Sequence, residues 1–423
     1  MVASERREGT VVVPAIGVAS SVACLRSLGR AGVRTVVVSE FDDPPGFRSR
    51  YADETVSVPD PTEDLSAYAE ALLSLAERED VRTVVPFREA DVYALAKRRG
   101  AFEAHVGTPW PSMETLRGAQ DRVELFETAR AAGVPAPDTA TFDEWDDWDE
   151  EVVVKPRYTL PAPAYVGEAV ASEFPHATTT YVDPSETPDR ESLVAEMGHV
   201  PIVQEYVSGS DEYGFFALYD HGEPVATFQH RQRRGYKYCG GPSAYRESVA
   251  IPELEDAGRA LLDALDWHGV AMVEFLRDDD GQFRLMEVNP RFWSSLPFTV
   301  QAGVDFPYLY WSHATGRLPD EPPDYDVGVA GHLLRGELVH LYSVLFEEYP
   351  LVDRPSFART ATAILGSLLR HPRFDYLAAD DPGPFVGDLE RTLDDVAGDG
   401  SASRPSTRPV WPTTALWNLL SGR

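Results

Sequence analysis

The chain has 423 residues, enough for two or three domains with a sizeable buried core. Acids outnumber bases 69 to 38, giving a net charge of −31 with no basic stripe, so a nucleic-acid phosphate backbone is excluded as a partner. Lys97, Lys155 and Lys237 are the only lysines, and an acid-rich, lysine-poor surface suggests adaptation to high salt, where hydrated carboxylates keep a protein soluble. Two cysteines, Cys24 and Cys239, argue against a disulfide scaffold or a structural zinc site. The polar start Met1-Val2-Ala3-Ser4 shows no secretory signal, and no apolar run reaches the ~18 residues of a membrane span. A cytoplasmic protein with no membrane partner is expected.

In chain order, Val11-Val12-Val13-Pro14, Thr35-Val36-Val37-Val38 and Thr83-Val84-Val85-Pro86 have the apolar, β-branched character of buried parallel strands. Ser20 to Gly32, apolar at Val22, Leu25 and Leu28, fits a crossover helix between the first two. This is a Rossmann-like βαβ unit. Its first turn, Ala15-Ile16-Gly17-Val18-Ala19-Ser20, lacks the Gly-x-Gly-x-x-Gly of a dinucleotide site, which argues against a dehydrogenase. A helix is expected from about Ala119 to Ala132, closed by Gly133-Val134-Pro135.

Strands follow at Val152 to Pro156 and Pro201 to Val207. Tyr213 to Tyr219 and Val225 to Arg231 form a hairpin around His221-Gly222, and outward counting sets Arg231 opposite Glu212. Glu253 to Trp267 is an amphipathic helix. It leads to a second hairpin, Gly269 to Leu276 and Phe283 to Arg291. With Asp280-Gly281 as a two-residue loop, Asp279 pairs with Gln282 and Glu274 faces Glu287. From about residue 330 the chain turns helical. Ala397 to Pro409 has the composition of a flexible linker, and Ala415 to Leu420 that of a short docking helix.

Chemistry concentrates in few places. Glu274 and Glu287, with Cβ atoms about 5 Å apart across a hairpin, repel unless a cation separates them. Asn289 shares their face, and two carboxylates with an amide oxygen make a hard site suited to Mg²⁺, with Mn²⁺ as a substitute. Lys155 ends an apolar strand in a chain that otherwise prefers arginine, which suits a point charge between phosphate oxygens. Gln204-Glu205-Tyr206-Val207 followed by Asp211-Glu212 has the layout of a strand edge with acids just beyond it. Arg231, Arg233, Arg234 and Lys237 form a dense basic cluster that either faces an anion or, for Arg231, pairs with Glu212. Arg291, after Asn289-Pro290, is placed to hold a carboxylate or phosphate. His230, His268 and His332 show no ligand spacing and are expected to be structural.

Lysine on a strand, a strand with Glu and Asp beyond it, a basic segment, Val273-Glu274-Phe275, then Glu287-Val288-Asn289-Pro290-Arg291, after a Rossmann-like start, resembles the ATP-grasp superfamily, especially its carboxylate–amine ligase members. The resemblance implies a mixed α/β and α+β fold. Its parts would be a Rossmann-like pre-ATP-grasp domain (1–115), a lid subdomain (116–200), a large subdomain with the metal site (201–325) and a helical C-terminal extension (326–423). It implies an ADP-forming ligase acting through an acyl phosphate on small-molecule carboxylate and amine substrates, with a kinase, a carboxylase or a non-catalytic ATP-binding module as alternatives. A homodimer is left open. By the same resemblance Lys155 and Arg122 would contact phosphates, Gln204, Glu205, Tyr206 and Val207 adenine, and Asp211 or Glu212 ribose. Lys237 would add to nucleotide binding. Glu274, Glu287 and Asn289 would hold Mg²⁺, with Arg291, Lys155 and Arg231 at the reacting groups. Two departures stand out. Arg122 replaces the family's first lid lysine, and Tyr158-Thr159-Leu160-Pro161-Ala162-Pro163-Ala164 replaces a Gly-rich lid loop, leaving few free amides to cradle phosphate.

Overall fold

A computed structural model describes residues 9–167, 179–184, 186–208, 211–349 and 352–397. The expected linker and terminal helix lie outside these residues, apart from Ala397. Three sheets carry the fold. The first is parallel, with strands β1 (Thr10–Pro14), β2 (Arg34–Ser39), β3 (Glu54–Ser57) and β4 (Val81–Val84) in the order β3-β2-β1-β4. Val11–Val13 and Val36–Val38 are fully buried, as strands covered on both faces must be. The helix Ala19–Arg30 is the expected crossover.

The second sheet holds β5 (Thr139–Thr141), β6 (Val152–Lys155), β7 (Thr180–Val182) and β8 (Ile202–Glu205) in the order β5-β8-β6-β7. Its antiparallel ladder aligns Lys155 with Ile202 and Val153 with Gln204. The third and largest sheet, order β13-β12-β9-β10-β11-β14, is built from β9 (Asp211–Asp220), β10 (Glu223–Lys237), β11 (Gly240–Ser248), β12 (Gly269–Arg277), β13 (Phe283–Asn289) and β14 (Ala330–His332). One face packs Phe215, Ala217, Tyr219, Val273, Phe275, Leu285 and Val288 against the helix Pro252–Ala264, while the alternate residues Glu212, Glu274 and Glu287 line a cleft.

Three expectations are corrected. The helix over 119–132 is two helices, Met113–Gln120 and Arg122–Ala131, because the Asp121 side chain accepts from Val123 N (3.1 Å) and starts a new one. The loop between β12 and β13 is Asp279–Gly281, closed by Asp278 N donating to Gln282 O (2.9 Å), with Gly281 at φ 82°. An extra residue, Met286, then bulges β13 and restores the expected pairing of Glu274 with Glu287. In the other hairpin the turn is His221-Gly222 as expected, both at positive φ, but a bulge at Val225 sets Arg231 opposite Tyr213 rather than Glu212.

Beyond residue 330 the chain is helical, as Leu334–Phe346, Phe357–Arg370 and Gly383–Ala397. It is tied down by buried ion pairs, Arg246 with Asp375 and Arg26 with Asp381 (2.9 Å), and β14 extends the large sheet. Arg26 lies on the first crossover helix, so the last helices bridge back to the first domain. No helix among the described residues is long and apolar enough to cross a membrane.

Candidate functional site

A cleft of about 1730 Å³ runs between the three sheets. Lys155, Gln204, Glu205, Tyr206, Val207, Asp211, Glu212, Arg231, Lys237, Glu274, Glu287, Asn289 and Arg291 all border it, although they come from separate strands. Arg122 does not line it and stands behind Glu287.

At its centre are two polar chains. Arg122 Nη1 donates to Pro156 O (2.7 Å) and Nη2 to Glu287 Oε2 (3.2 Å). Asn289 Nδ2 donates to Glu274 Oε1 (3.0 Å) and approaches Glu287 Oε1 (3.4 Å), while Asn289 Oδ1 accepts from Arg291 Nη2 (2.7 Å). Arg291 Nε reaches Glu89 Oε1 (2.8 Å) on the helix Glu89–Lys97 of the first domain. Lys155 Nζ donates to Gln204 Oε1 (2.9 Å), and Gln204 Nε2 continues to Thr139 Oγ1 (3.0 Å).

Electrostatics follow from this crowding. Burial, reinforced by the Glu287 charge, pushes the Glu274 carboxyl well above the usual range. Burial also works to raise Glu287, but Arg122, Lys155 and Arg291 together hold it low. Burial pulls the Lys155 ammonium down to about 8, Arg122 adding to the effect and the two glutamates opposing it. Glu212, half-buried beside Gln232, rises to about 7 through desolvation.

The donor set fits a hard divalent cation. Two acids face each other, one is driven towards its protonated form, and an amide N–H is aimed between them where positive charge is needed. Asn289 turns its oxygen to Arg291 in this arrangement, so ligation through that oxygen requires the amide to rotate or share its second lone pair.

Other expected residues are placed differently. Arg231 pairs with Asp211 (2.6 Å), and Arg233 pairs with Glu247. Arg234 pairs with Glu337 (2.8 Å). Lys237 lies 3.9 Å from Glu347 and over the Tyr349 ring. The basic cluster is thus matched acid by acid. Glu205 is exposed and caps Asp138 N (3.1 Å) through Oε2. The Pro-rich segment is not open: Tyr158 stacks on Tyr165 with ring centres 5.5 Å apart, Tyr165 Oη donates to Gln120 Oε1 (2.8 Å), and Ala164 N donates to Tyr93 Oη (3.3 Å) on the first domain.

Sequence reading missed Glu89, which anchors Arg291, and Arg88, whose guanidinium holds Glu40 (2.6 Å) and Asp91 (2.8 Å) at the first-domain end of the cleft. The contacts to Glu40 and Glu89 join residues 48 and 202 positions apart, and no local pattern signals them.

Residues 200–331 match the family model described as "ATP-grasp in the biosynthetic pathway with Ter operon". No curated protein sequence matches the chain. Among solved structures, N5-carboxyaminoimidazole synthetase from Staphylococcus aureus is similar at 14% identity and TM-score 0.54, over 76% of this chain and 81% of that one. The L-amino acid ligase from Bacillus licheniformis is similar at 16% identity and TM-score 0.52, over 73% and 75%. The biotin carboxylase domain dimer of Hydrogenobacter thermophilus 2-oxoglutarate carboxylase, solved with MgADP, ADP and bicarbonate, is similar at 15% identity and TM-score 0.57, over 77% and 74%. The family match thus falls on nearly all of the large sheet, and about three quarters of the chain shares its fold with these proteins.

Proposed function

We propose that the cleft binds ATP with Mg²⁺ and ligates a carboxylate to an amine, forming ADP. The observation that supports this most is the meeting of Glu274, Glu287, Asn289 and Arg291 with Lys155 and Arg122 around one point. In this reading residues 1–115 are the first domain, 116–200 the lid and 201–325 the large subdomain, each contributing described residues to the cleft. Gln204 to Val207 line the adenine slot with Val153 and Tyr181, and Asp211 or Glu212 receives the ribose hydroxyls.

Glu274 and Glu287, with Asn289, would hold the metal, which when bound would supply positive charge to offset that of the phosphates. Lys155 holds phosphate oxygens as a compact cation. Arg122 fixes the Glu287 carboxylate from behind. A substrate carboxylate oxygen attacks the γ-phosphorus, the bond to the ADP oxygen breaks, and an acyl phosphate forms. Arg291, held in orientation by Glu89 and Asn289, steadies that anion. The amine nitrogen then attacks the acyl carbon, phosphate departs, and the nitrogen gives up a proton. Most of the catalysis asked of the protein is positioning and charge stabilisation.

A second reading has bicarbonate as the carboxylate, favoured by the similarity to N5-carboxyaminoimidazole synthetase and to a biotin carboxylase. One assay separates the readings: ADP release from paired small carboxylates and amines in molar salt, which the acidic surface calls for, with Glu287→Gln as the blank. Release that needs both partners supports the ligase, and release that needs bicarbonate supports the carboxylase. A phosphorylated product that persists without amine points to a kinase. No pair above the blank contradicts catalysis.

A further inference from the structure

Away from the cleft, the tip of the β9–β10 hairpin gathers three histidines around one carboxylate. Their positions, 221, 268 and 313, show no ligand spacing, and only the fold brings them to Asp220. Asp220 Oδ1 lies 3.0 Å from His313 Nε2, 3.8 Å from His268 Nδ1 and 3.9 Å from His221 Nε2. Metal–nitrogen bonds of about 2.0–2.1 Å put the donors of a tetrahedral site roughly 3.4 Å apart; the ligand atoms of Asp220, His221 and His268 already lie within 4.8 Å of one another, and His313 would join them from its place beside Asp220.

The lone pairs are suitably presented. His268 Nε2 lies 3.2 Å from Thr108 O, and His268 Nδ1 accepts from His221 N (3.2 Å), so the proton belongs on Nε2 and Nδ1 carries the lone pair towards Asp220. A ring N–H held by a backbone carbonyl is the usual support of a metal-binding histidine. The His221 N contact is long and is the one such an ion would displace. His313 Nε2 is buried and makes no hydrogen bond of acceptable angle despite its approach to Asp220. The frame is rigid: Gly222 N donates to Trp267 O (2.8 Å), and the His221 and His268 rings stack with centres 4.0 Å apart.

We propose that Asp220, His221, His268 and His313 bind a divalent cation of the zinc class, separate from the oxygen-donor site in the cleft. Three imidazoles and one carboxylate suit such a borderline ion and not Mg²⁺. The ion would staple the hairpin tip to the start of β12 and to the helix Phe306–Ala314.

The test uses the tag-free, chelator-stripped full chain, titrated with Zn²⁺ by calorimetry in molar salt and excess Mg²⁺, which suppress binding to surface acids. Co²⁺ provides a visible-absorption readout of tetrahedral ligation. One Zn²⁺ per chain is expected, bound equally by Glu287→Gln, with affinity falling about tenfold or more in His313→Ala and in His221→Ala. His221 is 75% exposed, so its substitution leaves the fold intact and decides the matter even if His313→Ala misfolds. Absence of stoichiometric binding, undiminished affinity in His221→Ala, or loss of the ion in Glu287→Gln would each overturn the proposal.

Discussion

The large sheet contains two hairpins that look alike in sequence and behave differently in register. Around His221-Gly222 the two-residue loop is as counted, yet the bulge at Val225 moves every later pair by one. Around Asp279–Gly281 the loop has one residue more than counted, yet the bulge at Met286 moves the pairs back. So Glu274 faces Glu287 through two deviations that cancel, while Arg231 misses Glu212 through one that does not. A turn sets register only as far as the first bulge, and both bulges lie between the turn and the cleft.

The comparison can be pressed from its strongest consequence down. Glu287→Gln removes one of the two facing carboxylates and leaves Arg122 without its ion pair, and ADP release should fall by about 10²–10³-fold. Circular dichroism would show whether the fold is kept. The pH dependence of ATP binding comes next. Lys155 in the free protein loses its proton near pH 8, so its contribution to affinity should be lost above that, by up to about tenfold per pH unit. Lys155→Met should bind weakly at all pH values and lack that fall, as titration calorimetry would show.

The turns themselves should be equivalent. Gly222 and Gly281 have φ of 83° and 82°, and an added Cβ meets nothing nearer than 3.4 and 3.6 Å. Alanine at either should therefore cost about 1–2 kcal/mol of denaturation free energy from backbone strain alone. The smallest effect discriminates the registers. A double-mutant cycle of Arg231 with Asp211 should give a coupling of about 0.5–1 kcal/mol, since the pair is partly exposed, and the cycle with Glu212 close to zero. The reverse ranking would restore the unbulged register.

Much of this was legible in the sequence where the signal is local. Valine runs marked β1, β2, β6 and part of β4, positive-φ glycines marked the turns, and the order of Lys155, Glu274, Glu287 and Asn289 marked the cleft. What failed depends on contacts distant in sequence. Asp121 splits a helix because its side chain caps Val123 N while Arg157 clamps it, Arg157 Nη2 lying 2.7 Å from Asp121. The Pro-rich segment was expected to leave phosphate uncradled, and whether it found a partner depended on Tyr93, some seventy residues earlier. The His221, His268 and His313 group is the same case: three unremarkable histidines in sequence that all approach Asp220 in space.

The most direct test of the central claim is Mn²⁺ binding followed by electron paramagnetic resonance with and without ATP, comparing the wild-type chain with the Glu274→Gln/Glu287→Gln double variant. The account predicts Mn²⁺ uptake that ATP strengthens in the wild type and that the double variant loses. Equal, ATP-dependent uptake by both would contradict it, because the two facing glutamates would then not be what holds the metal.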